Sequence, residues 1–124
     1  MTDHRTTADL REYLEAIDLC YFDQHLSELG VQIRWMRARS DAAARVGCYR
    51  IEEKTIEVAR DLAHASVPRV FVMQTIHHEA CHAIYGANHG PAFHRACRQF
   101  LFAYEAFEWE RTGGHWPAPP KGLR

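Results

Sequence analysis

Residues 78–82 read His-Glu-Ala-Cys-His, inside a run from 77 to 94 that holds five of the chain's nine histidines. If that run is helical, His78 and His82 lie about 40° apart around the axis and roughly 6 Å from each other. Two imidazoles so placed can both reach one zinc ion at about 2.0–2.1 Å. The requirement is severe. One face of the helix must open on a cleft while the opposite face carries the core, and Val72, Met73, Ile76, Ala80 and Ala83 supply that apolar stripe. Glu79 falls about 100° round from His78 and about 60° from His82. There its carboxylate can take a proton from a metal-activated water instead of ligating the metal. Zinc lowers the pKa of such a water to about 7, which makes a nucleophile available at neutral pH. By composition alone an H-E-x-x-H string is expected roughly 0.05 times in this chain, so a third ligand has to be found. Gly86 ends the helix one turn past His82, and Gly90-Pro91 opens another. The short turn between them carries His89 back toward the metal.

The rest of the chain is arranged around this helix. Leu10, Leu14, Ile17 and Tyr21 recur at helical spacing and predict a first helix from Thr7 to about Leu26, with Thr7 or Asp9 available to cap it. "VQIRW" alternates as a strand at 31–35, and two more strands are expected at 45–51 and 55–59, joined by Glu52-Glu53-Lys54. Ser66 and Pro68 announce the metal helix, which runs to Tyr85. A last helix follows Pro91, with Phe93, Cys97, Phe100, Tyr104 and Phe107 facing inward, up to Gly113-Gly114. The sum is an α+β fold: three helices with a small, mostly antiparallel three-stranded sheet. At 124 residues the expectation is a single domain, 1–124, with its core at about 7–112 and a Pro-rich tail at 113–124. Its net charge of −1 gives no general pull toward nucleic acid or an anionic membrane. No apolar run is long enough to span a bilayer, and no basic-then-apolar leader precedes the first helix, so no membrane partner and a cytoplasmic location are expected. The four scattered cysteines then read as reduced thiols, neither disulfides nor a zinc ribbon.

The stretches "HHEACHA" and "NHGPAFHRACR" resemble the SprT-like metallopeptidase domain, whose pattern is H-E-x-x-H-A, a variable insert, and H-G-P-x-F opening a helix. Upstream, "CYFDQHLSELGVQIRW" is similar to that family's first helix and following strand. "AARVGCYR" and "TIEVAR" resemble its next two strands. The resemblance covers about residues 10 to 110 and implies a minimal zincin fold without a zinc ribbon. It further implies zinc ligation by His78, His82 and His89, with Glu79 as general base, and a protein or peptide substrate. One departure stands out. Only six residues separate His82 from His89, a spacing that approaches YgjP-like proteins, which carry Asn-His-Ser where this chain has Asn88-His89-Gly90.

Other residues have both a functional and a plain reading. Tyr85, Tyr104 and His115 are candidates to donate to a developing oxyanion. His94 could support a ligand histidine or contact substrate, or simply be a solvated helix residue, and Glu105 or Glu108 could orient a ligand ring or form an exposed charged face. His77 and Cys81 are also four apart, a spacing open to a soft metal, although Cys81 lies toward the buried side. Between Arg34 and Arg50 stand five arginines against one aspartate, a patch for acidic substrate or nucleic acid, or else a solvated strand face. Trp109 and Trp116 could fold the tail over the cleft. The sequence thus points first to a zinc-dependent metallopeptidase. The alternatives are a non-catalytic zinc-binding interaction module and a YgjP-like hydrolase of a non-peptide substrate. An extended substrate is expected to pair with the sheet through Thr55–Ala59.

Overall fold

A computed structural model describes residues 4–40 and 44–112. The first helix, α1 (Thr7–Tyr21), starts at Thr6, whose hydroxyl accepts the Asp9 N–H (3.2 Å) while the Asp9 carboxylate accepts the Thr6 N–H (2.7 Å). Two orphan donors of the first turn are thereby satisfied. Leu10, Leu14 and Ile17 form its buried stripe. The helix does not reach Leu26. Asp23 and Gln24 take left-handed backbone conformations (φ 50° and 64°), and a separate short helix, α2 (His25–Leu29), follows. The buried Asp18 carboxylate caps it, accepting the N–H groups of Leu26 and Ser27 at 2.9 Å each.

Three strands make one sheet: β1 (Gln32–Met36), β2 (Gly47–Arg50) and β3 (Thr55–Ala59), in the order β1-β3-β2. β2 and β3 form an antiparallel hairpin through the expected turn, whereas β1 pairs with β3 in parallel. The sheet is therefore mixed and not mostly antiparallel, because the long connection after β1 returns the chain on the far side of β3. This also corrects the expected substrate edge. β3 is the central strand, every residue of it is buried, and its backbone is spoken for on both sides.

On one face of the sheet Ile33, Trp35, Ile56 and Val58 join the core under α1 and the longest helix, α3 (Arg69–Tyr85). On the other, the buried Glu57 carboxylate receives Arg34 (2.7 Å) and Arg50 (2.9 Å), and Arg34 also reaches Glu53 at 2.6 Å. Burial pushes the Glu57 carboxyl up, but Arg50 and Arg34 outweigh it and hold it below the usual carboxylate range. Arg39 pairs with Asp61 at 2.8 Å. Three of the five arginines between 34 and 50 thus carry carboxylate partners, drawn from the acidic residues that follow that stretch in sequence.

The last expected helix is also two: α4 (Pro91–Arg98) and α5 (Ala103–Arg111). Together with α1, α2 and α3 the described residues hold five α-helices, not three, and one 3-10 turn at Arg60–Ala63. The break at 99–102 rotates the inward face. Phe93 and Phe100 are buried as expected, but Tyr104 (71% exposed) and Phe107 (59%) turn outward. Ala106 and Trp109 face the core in their place, with Trp109 against Phe71 (ring centroids 4.9 Å). Residues 113–124, including His115 and Trp116, lie outside the described residues. No helix among the described residues is long and apolar enough to cross a membrane.

Candidate metal centre

α3 buries Phe71, Val72, Ile76 and Ala80 in the core and turns His78 and His82 toward a cleft. It ends at Gly86, whose φ of +90° suits a residue without Cβ. The chain folds back there, and α4 begins at Pro91. The ring nitrogens of His78, His82 and His89 are brought within 4.8 Å of one another. Phe93, the third residue of α4, is the floor of this group. Its ring stacks on His89 (4.7 Å between centroids), lies against His82 (4.5 Å) and meets His78 edge-on (5.1 Å).

The donor set can be tested against zinc. Four ligands at about 2.05 Å in a tetrahedron stand about 3.3 Å apart. The Nε2 atoms of His82 and His89 are 3.2 Å apart. His82 Nδ1 lies 2.9 Å from the Gly86 carbonyl oxygen, which can only accept, so Nδ1 carries the proton and Nε2 presents a bare lone pair. With His82 and His89 at that spacing, the His82 tautomer set, and the third ring, His78, within 4.8 Å, the donor set fits a zinc ion. Among the described residues the group contains three possible ligands and no fourth.

Glu79 is 8% exposed and lines the same cleft as the three histidines, a cavity of about 570 Å³. Burial raises its carboxyl above the ordinary value, against the opposing pull of His78, His82 and Arg45. The opposite wall is the start of β2. Gly47 packs so closely on α3 that an added Cβ would stand 2.8 Å from Thr75 Cγ2 and 3.4 Å from Glu79 Cγ. Arg45, Val46 and Tyr49 continue that wall, and Arg45 is its sole lysine or arginine among the described residues.

The remaining candidates sit elsewhere. Tyr85 is 46% exposed and, like Tyr104, does not line the cleft. His94 is exposed, its ring 6.2 Å from that of His89 between centroids. Glu108 is paired with Arg111 at 2.7 Å, and the group that orients His82 is a backbone carbonyl. His77 points away from the cleft into a slot of aromatic rings, Tyr21, Phe22 and Phe100, at 5.0–5.4 Å. Burial, with a smaller push from His78, holds it down at about 4, so it is neutral there. Its Nδ1 is 3.8 Å from the buried Cys81 sulfur. Gly47, Tyr49 and Cys97 are what residue-by-residue reasoning passed over as site residues, while Arg45 figures in it only as one of the five arginines between 34 and 50. Of the first three only Gly47 had a signal, since an isolated glycine in a strand marks a close backbone approach.

A family model described as the SprT-like family matches residues 10–113. Among the curated proteins none matches the chain.

Proposed function

The chain belongs to the SprT-like family, and from that premise we propose that it is a zinc-dependent metallopeptidase. The observation that carries the proposal is the convergence of His78, His82 and His89, with His82 and His89 at zinc spacing, beside a buried carboxylate and along an open strand edge. Bound by those three rings, zinc would supply Lewis acidity toward a peptide carbonyl and lower the pKa of a water. The protein's own groups do the rest. Glu79 accepts the proton of the attacking water and delivers it to the departing amine, and the burial that raises its carboxyl favours its holding that proton between the two transfers. Arg45, Tyr49 and Gln74 are cleft-lining side chains able to donate to the developing oxyanion, whereas Tyr85 and Tyr104 lie away from it. The substrate is a protein or peptide segment laid along β2. A non-catalytic zinc module would close its coordination with a fourth protein ligand, and the described residues converge only three.

The test is proteomic cleavage mapping with the wild type against Glu79→Gln. Glutamine keeps the shape but cannot accept the proton, so zinc content and melting temperature should hold while turnover falls roughly 10²–10⁴-fold. Equal cleavage by the two proteins would overturn the mechanism. Absence of any peptide cleavage by a zinc-loaded wild type would turn attention to non-peptide substrates.

A further inference from the structure

We propose that Cys97 is a positioning residue for this centre, its sulfur receiving the Nδ1–H of His78 and so aiming the Nε2 of that ring at His82 and His89. The inference rests on the zinc reading above and concerns how one ligand is held. A ligand histidine needs its second ring nitrogen engaged, because that bond fixes both tautomer and ring orientation. His82 solves this with backbone. It sits one turn from the end of α3, where the Gly86 carbonyl is free to accept its Nδ1–H at 2.9 Å. For His78 the carbonyl four residues further on, that of His82, accepts the Gly86 N–H at 2.9 Å, and the group within reach of its Nδ1 comes from another element.

α4 provides it. Cys97 Sγ stands 3.9 Å from His78 Nδ1, a separation suited to the larger sulfur atom. Its placement is rigid. Phe93 and Ala96 pin α4 against Cys81, and position 97 follows Phe93 by one helical turn, so the face that floors the three rings also carries the sulfur. Phe93 touches His78 edge-on but is apolar and cannot hold a ring nitrogen. Geometry also separates this role from ligation. With Nδ1 engaged by the sulfur the ring would ligate through Nε2, and the two nitrogens point away from each other across the imidazole, so the sulfur acts on the ring and not on the metal.

Zinc affinity measured by competition with a chromophoric chelator, on wild type, Cys97→Ala and Cys97→Ser, tests the assignment. Cys97→Ala should weaken zinc binding roughly 10–100-fold while the metal-free protein keeps its melting temperature. Cys97→Ser should recover part of the loss, because a hydroxyl can still accept. The cobalt-loaded wild type should lack a sulfur-to-metal charge-transfer band. Wild-type affinity in Cys97→Ala would overturn the proposal, as would equal losses in both variants accompanied by a lower metal-free melting temperature, which would mark a packing role. A charge-transfer band abolished by Cys97→Ala would make the residue a ligand and overturn it too. A wild type that binds no zinc would instead sink the zinc reading itself, so the two failures are distinguishable.

Discussion

A methyl group at position 47 has nowhere to go. Its nearest neighbour would be Thr75 Cγ2 at 2.8 Å, with the Glu57 carbonyl oxygen at 3.3 Å and Glu79 Cγ at 3.4 Å behind it. Gly47 is therefore the residue that lets β2 rest directly on the turn of α3 that carries Glu79. Gly47→Ala should destabilise by about 1–3 kcal/mol through overpacking and reduce turnover by displacing Glu79, with zinc still bound. Thr75→Ser in the same background removes the Cγ2 but keeps the hydroxyl that bonds the Phe71 carbonyl at 3.0 Å, so it should restore much of both losses. Thermal unfolding of the metal-free proteins and peptide turnover report the two effects separately. If Thr75→Ser restored neither, the contact would not be the cause.

Elements show where sequence periodicity stops being informative. α2 owes its start to two N–H groups accepted by one buried carboxylate eight and nine residues earlier. Asp18→Ala removes both and should cost about 1–2 kcal/mol, as losing an N-cap does; Asp18→Asn keeps one acceptor oxygen and should cost less. An unchanged melting temperature in Asp18→Ala would contradict this account of the cap. The apolar stripes of α1 and α3 were legible in the sequence because burial of a helix face is written in its own period. The break at Asp23-Gln24 was not, since neither residue is glycine and the stop depends on Asp18 reaching across. The α4–α5 break likewise contains no glycine or proline, so a single stripe through Tyr104 and Phe107 looked sound until Ala106 and Trp109 took the inward face. Strand positions were legible and their order was not, because alternation says which face is buried and nothing about which neighbour is paired. The grouping of His78, His82 and His89 was readable for the opposite reason: it is set by local spacing across one helix end. Cys97 acts on His78 from nineteen positions away and left no local trace.

At the scale of the whole molecule, strand order decides where a substrate can lie. β3 is enclosed, so the edge available beside α3 belongs to β2. The direction of its free groups follows from one bond. The Ala59 N–H donates to the Val46 carbonyl at 2.8 Å, which fixes Val46 and Ala59 as a bonded pair. Bonded pairs alternate along an antiparallel ladder, so Cys48 and Arg50 face β3 while Gly47 and Tyr49 aim their N–H and C=O groups at the open side. Those are the residues that line the cleft. An extended peptide added there would gain affinity from backbone bonds with little demand on side chains, and only its alternate residues would bond to β2. The consequence is a period of two. N-methylation of a substrate peptide, one amide at a time and sparing the scissile bond, should raise KM at every second position, roughly tenfold for each hydrogen bond lost at about 1–1.5 kcal/mol. Intervening positions should tolerate the methyl group. Folded proteins, which offer no free strand, should be cleaved only at their flexible segments. Uniform tolerance, or uniform sensitivity without alternation, would remove the substrate from the β2 edge and leave the side-chain wall of Arg45 and Tyr49 as the surface that recognises it.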